Sequence, residues 1–305
     1  SDDVTDIFSR YRYRVRHLIF ADDMQGTKHA KPSQVSVVVS ELGSCVSSVN
    51  DWCTSKRLQL NTMKTEVMWY GSATNLRKLS PESILIPIGS DTLQPTNQVR
   101  DLGVYFDDEL NMKAHIRRVA GTCYFHLRRL RALRGLLGQE VTARLVSAFV
   151  LSRLDYCNAI LIGLPASTLA PLQRVMHAAV RLICDLKPHD HISASMRALH
   201  WLPLKQRIDF KVCLLVHQTI NGRAPSYLQD LIVPSVSVSR RAILRSASHH
   251  DLVLQSSHRK LGDRAFSVAG PRVWNSLPTE LKTITDTSVF KRKLKTFLFT
   301  IAYSC

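Results

Sequence analysis

Apolar and polar positions follow two different periods along this chain, and the period changes near Leu110. Before that point the two are mixed. "YRVRHLIFA" (13–21) has strand character, and the turn residues Asp22, Asp23 and Gly26 follow it. From Val35 to Cys53 the apolar residues Val38, Leu42, Val46, Val49 and Trp52 recur at helical spacing. "TEVMWYG" (65–71) again suits a strand. Two further strand-like pieces, "SILIPIG" (83–89) and "DLGVYFD" (101–107), flank a polar turn region around Pro95 to Gln98. The pattern predicts strand, turn and helix in succession, an α+β region over residues 1–110.

After Leu110 the texture is helical. Met112, Ile116, Val119, Cys123, Leu127 and Leu130 recur at intervals of three and four. Lys113, Arg117, Arg118, Arg128, Arg129, Arg131 and Arg134 occupy the surface around them, with no acid interspersed. The run Gly135 to Gly138 ends this basic amphipathic helix. Helices are predicted over Val141 to Ile160 and Thr168 to Cys184, broken at Gly163 and Pro165, with Ser167 as the cap of the second. Another helix, Leu204 to Ile220, stops at Asn221-Gly222, and Tyr227 to Ile232 adds a turn or two. From Pro234 to Lys260 the chain is rich in Ser, Arg and His with few apolar anchors, which reads as a basic, partly mobile linker with its first tryptic cuts near Arg240, Arg241 or Arg245. A short basic helix, "SVFKRKLKTFLF" (288–299), closes the chain. The expected fold class is therefore α+β, predominantly α. Its divisions are 1–110, a helical bundle over 111–234, the linker 235–260 and a carboxy-terminal segment 261–305.

Charge and cysteine content narrow the function classes without naming one. Among 305 residues, 41 Lys and Arg stand against 24 Asp and Glu, a net charge of +17 that points to a polyanionic partner, nucleic acid before an anionic membrane surface. Seven scattered cysteines contain no C-x-x-C pair, which argues against a disulfide scaffold or a zinc finger. Cys184 with His189 and His191 matches no standard zinc spacing. No apolar run is long enough for a membrane span, and the acidic start "SDDVTD" is not a signal peptide, so an intracellular protein without membrane association is expected.

The candidate chemistry lies at "RVRHLIFADDMQG" (14–26). Two adjacent carboxylates, Asp22 and Asp23, directly follow Leu18-Ile19-Phe20-Ala21, although like charges repel and an apolar neighbourhood disfavours both. A tight turn between strands has the same composition.

The order of the pieces supplies context. "FADD", a helix, "LQLNTMKTE", a hairpin containing "DLGV" and then a basic helical bundle follow one another. Taken with "SRLDYCNAILIGLP", "LHWLPLKQRI", "GRAPSYL", "LRS", "GDRAFSVAGPRVWNSLP" and "FKRKLKTFLF", this order resembles the later palm and the thumb of reverse transcriptases from non-LTR retrotransposons of the jockey and chicken-repeat branches. The resemblance runs from about Val15 to the end of the chain.

The resemblance implies a partial polymerase palm over 1–110 and a thumb-like bundle over 111–234. In such enzymes Asp22 would hold two Mg²⁺ ions with Asp23 beside it, and hard oxygen donors suit that ion. Phe20 stands where the family usually has Tyr, and Met24 where Thr is common. Lys64 would lie near the triphosphate of an incoming deoxynucleotide; its plain alternative is a solvated lysine. Leu102, Gly103 and Val104 would grip the primer strand, and the arginine-rich helix from Lys113 to Arg134 would track an RNA–DNA hybrid of template and primer through phosphates. Trp201 and Trp274 are expected as core anchors rather than stacking platforms. The family also needs an earlier palm strand bearing another aspartate, and fingers; the residues before Asp22 are too few for these. The expectation is an RNA-directed DNA polymerase fragment inactive by itself, placed in nucleus and cytoplasm. The alternative is a non-catalytic nucleic-acid-binding protein derived from such an element.

Overall fold

A computed structural model describes residues 4, 6–8, 15–88, 91–237, 249–257, 259 and 261–304. The chain is mostly helical with small antiparallel sheets, and it divides into two compact units, Ser1–Met112 and Lys113–Cys305.

The first unit is built around one long helix. Strand β1 (Arg16–Phe20) pairs with β2 (Asp23–Thr27) as a tight antiparallel hairpin, Phe20 opposite Asp23. Helix α1 (Val35–Ser55) lies within two residues of the span its periodicity predicts. Its apolar positions serve two small cores. Cys45, Val49 and Cys53 pack with Val15, Ile19 and Met24 of the hairpin region, while Val39, Leu42 and Val46 meet Ile86, Ile88 and Leu93. The last three residues belong to β3 (Ile86–Ile88) and β4 (Asp91–Leu93), a second hairpin. A third joins β5 (Gln98–Asp101) to β6 (Val104–Asp107).

One strand expectation needs correction. "TEVMWYG" forms no strand: Val67 makes one isolated bridge to Pro95, where its carbonyl accepts the Thr96 amide at 2.8 Å, and Trp69 donates its indole N–H to the Ile84 carbonyl at 3.1 Å. A proline has no amide to extend such a ladder. The two later strand-like pieces lie on either side of the Pro95–Gln98 region. Each pairs with its own near neighbour, and "DLGVYFD" itself contains a turn.

The second unit begins with helix α2 (Lys113–Val146), which breaks at Gly138, whose φ of 67° only glycine adopts freely. The helix thus continues three residues beyond Gly135. It passes through a π-helical turn, Ser147–Leu151, into Ser152–Asp155. Helix α3 (Ala166–Cys184) packs along α2. Ser167, expected as its cap, lies inside the helix; Pro165 stands at the cap position and no side chain caps the end.

Helix α4 (Leu204–Ile220) has the predicted bounds and carries α5 (Phe266–Asn275) and α6 (Thr287–Tyr303) on its flank. Gly270 lets α5 approach: a Cβ there would sit 3.0 Å from Val216 Cγ2. The core shared by these helices contains Cys213, Val216, Trp274, Leu281, Phe290 and Leu294. Trp274 is buried and donates its indole N–H to the His250 carbonyl at 3.1 Å, the anchoring role expected of it.

Of the proposed linker, residues 238–248, 258 and 260 lie outside the described residues, including Arg240, Arg241 and Arg245. Two of the described stretches are tied down around Pro234 and Leu252. Pro234 bridges Leu252, Ser235 and Leu252 are buried, and Asn275 exchanges two hydrogen bonds with the Leu252 backbone.

Candidate functional site

The Asp-Asp pair sits on the tip of the β1–β2 hairpin. Because Phe20 faces Asp23 in register, the loop is Ala21-Asp22 alone, and Ala21 takes a left-handed φ of 55°. A non-glycine residue there costs on the order of 1 kcal/mol, so the hairpin holds Asp22 in place against a local preference. Phe20, Ala21, Asp22 and Asp23 are all exposed. Water therefore solvates both carboxylates, and the desolvation that the preceding apolar run suggested does not arise.

A third carboxylate escaped the sequence reading. Gln25, on β2, donates from Nε2 to Asp101 Oδ1 at 2.6 Å. Burial holds the Asp101 carboxyl above its ordinary pKa, the charge of Asp23 pushes it further up, and the Gln25 hydrogen bond opposes both. Two motifs far apart in sequence thus meet: the Asp-Asp hairpin and the "DLGV" hairpin lie side by side, with Asp101 at the junction. Only the position of Asp101 at the start of "DLGV" hinted at this.

The loop of the β5–β6 hairpin is Leu102-Gly103, both left-handed at φ 43° and 83°, while Val104 is buried. That twist matches the right-handed twist of the flanking strands. Lys64 lies elsewhere. It ends a short 3₁₀ turn, Thr62–Lys64, its backbone N–H bonded to the Asn61 side chain at 3.2 Å, and its own side chain is exposed. No hydrogen bond or ion pair among the described residues joins it to Asp22 or Asp23.

Oxygen donors at Asp22 and Asp23 suit Mg²⁺ chemically. Among the described residues, however, no three His, Cys, Asp or Glu side chains are grouped to hold a metal ion. Asp22 and Asp23 therefore do not complete a magnesium site with the described residues.

In the second unit, the arginines of α2 fall into two sets. Lys113, Arg117, Arg118, Arg128, Arg129 and Arg131 are exposed on one broad face, spanning ~27 Å of helix at 1.5 Å per residue, and the first acid after Lys113 is Glu140. Arg134 is different. It follows Leu130 by four residues and so continues the buried stripe Ile116, Ala120, Cys123, Leu127, Leu130. Its guanidinium turns inward, Nε donating to the Leu182 carbonyl and Nη2 to the Ile183 carbonyl, each at 3.0 Å. It closes the carboxy-terminal end of α3, where orphan carbonyls and the helix dipole attract a cation. These bonds give it a structural contact that its expected place on the phosphate-facing surface did not include.

Other residues of the resembling segments act as struts. Arg207 grips Asp155 with two hydrogen bonds, Nε to Oδ1 at 2.7 Å and Nη2 to Oδ2. Tyr303 donates its hydroxyl to the Trp201 carbonyl at 2.6 Å. A cavity of about 600 Å³ opens between α3, α4 and α5, walled by Leu161, Leu169, Leu204, Ile208 and Val273. No helix among the described residues is long and apolar enough to cross a membrane.

Compared with known proteins, the chain matches no family model, no curated protein and no solved structure.

Proposed function

We propose that the chain is a nucleic-acid-binding part of an RNA-directed DNA polymerase from a non-LTR retrotransposon, its substrate-gripping surface being the exposed face of α2. The observation that carries this reading is that acid-free face from Lys113 to Arg131, on a chain of net charge +17. Cations spread along a rigid helix fit a regular row of phosphates, and phosphate contacts hold register without reading bases. The partner is a hybrid of RNA template and DNA primer. Deoxynucleotides and magnesium enter through the resemblance, with Asp22 and Asp23 as oxygen donors on an exposed tip and Asp101 on the adjoining hairpin.

Binding of an RNA–DNA hybrid by the 305-residue chain, titrated at several salt concentrations, tests the reading. Each phosphate neutralised releases counterions, so affinity should fall steeply with salt. Arg117→Glu, Arg128→Glu and Arg131→Glu should each weaken binding and flatten the slope by about one unit or more. Salt-independent binding, or binding that ignores all three substitutions, would overturn it.

A further inference from the structure

The basic face of α2 carries an exposed aromatic where a solvated helix would place another polar residue. Phe125 lies three residues before Arg128 and four before Arg129, hence on the same surface, and it is 46% exposed. Arg129 places its guanidinium 5.5 Å from the Phe125 ring centre. The ring of His126 meets Phe125 edge-on at 5.4 Å, and beyond it Phe149 lies parallel to His126, 5.3 Å away with an interplanar angle of 11°. Phe149 is itself 41% exposed.

The second phenylalanine is delivered by the π-helical turn Ser147–Leu151. Such turns are rare and recur at functional sites, because the extra residue re-aims a side chain at a cost to the helix ladder. Burial, then the charges of Arg153 and Arg129, hold the His126 imidazole below its ordinary pKa. The three rings thus form a contiguous aromatic shelf, Phe125 turned across the parallel His126–Phe149 pair, with the Arg129 guanidinium over Phe125 and the charge of Arg153 acting on His126.

We infer that this shelf, Phe125, His126 and Phe149 with Arg129 and Arg153 beside it, is a stacking platform for unpaired bases of a single-stranded stretch next to the duplex. The inference rests on the reading of the α2 face as a nucleic-acid surface and adds a second kind of contact to it. A flat ring next to an arginine suits a base and its phosphate together: every base has a π-face, and the guanidinium meets the neighbouring phosphate. Duplex phosphates need no aromatic, so the shelf is informative only for a strand whose bases are splayed out. A protein partner would instead need a larger continuous apolar surface than two half-exposed rings flanked by cations.

Fluorescence anisotropy on the full chain separates the possibilities. The probes are a blunt RNA–DNA hybrid, the same hybrid with a single-stranded extension, and that hybrid with an abasic extension that keeps the phosphates and lacks the bases. The base-bearing extension should bind about 5- to 100-fold tighter than the abasic one. Phe149→Leu, which keeps an apolar side chain but no ring face, and Phe125→Ala should each remove most of that gain while leaving the blunt hybrid unchanged. Phe125→Trp should preserve or increase it. Equal affinity for the two extensions overturns the inference and leaves the phosphate reading standing. Loss of blunt-hybrid binding in the unmodified chain overturns the phosphate reading, and single-stranded RNA against its abasic counterpart then decides the shelf alone. Self-association abolished by Phe149→Leu would replace bases by a second copy of the chain as the occupant.

Discussion

The two units of this protein solve the problem of burial in opposite ways. In the first, three two-stranded hairpins remain separate among the described residues, and two of them lean on the long helix α1 through small cores. A lone two-stranded hairpin is marginal in water, so each draws its stability from the rest of its unit. In the second, α4, α5 and α6 share one core with wholly buried aromatics, Trp274 and Phe290, and the buried His217 stacked 4.1 Å from Phe290. The contrast extends to chemistry. Asp22, Asp23, Leu102 and Gly103 sit at turn tips whose backbone is partly strained, whereas the exposed arginines of α2 ride on a long helix that packing with α3 holds rigid. Acids held on short hairpin tips and cations spread along a helix suit different tasks: the first present two oxygen donors at one point, and the second repeat charge along a line that a regular row of phosphates can match.

The largest expected effect tests whether the units are energetically separate. Phe290→Ala removes a fully buried ring and should cost the second unit about 3–5 kcal/mol in denaturant unfolding. Hydrogen exchange in β1–β2 should stay as it was. Equal acceleration in both units would show a single cooperative fold and end the comparison.

Arg134→Ala sharpens it next. Losing two charge-assisted bonds to helix-end carbonyls should destabilise the second unit by about 1.5–3 kcal/mol. Hybrid affinity should fall less than it does for Arg131→Ala, since one arginine holds the fold and the other faces solvent. The reverse order would return Arg134 to the binding surface. In the first unit, Gly103→Ala forces a Cβ into a left-handed turn and should cost about 1–2 kcal/mol, read as faster exchange in β5 and β6 alone.

The smallest effect is a pH dependence confined to α6. The Asp286 carboxylate caps that helix, accepting the Val289 amide at 2.7 Å, and this bond holds its pKa below the ordinary value. A depressed folded-state pKa means that the folded state favours the charged form. The contribution is complete above the unfolded carboxylate range and fades as pH falls through the folded pKa. Asp286→Asn should therefore remove part of the acid sensitivity of the amino-terminal turn of α6, measured by exchange at Val289 and Phe290. Identical acid profiles in the two proteins would refute the assignment.

Elements whose signal is local can be read from the order of residues. The α1 span and the α4 bounds follow from the three-and-four spacing of apolar residues and from turn residues at the end, because helix geometry is set within a few residues of each position. The Asp22 turn and the "DLGV" turn were legible for the same reason. The inward turn of Arg134 was not read from the sequence: Leu130 plus four lands on the inner stripe, yet its charge argued for the surface, and only the carbonyl end of α3 explains why the guanidinium turns in. Tertiary structure alone decided the rest. Strand partners depend on which segments packing brings alongside, so "TEVMWYG" had the right composition and no ladder to join. Asp101 beside Asp23, and Phe149 beside His126, join residues separated by whole elements, where chain geometry imposes no spacing and packing chooses the neighbours.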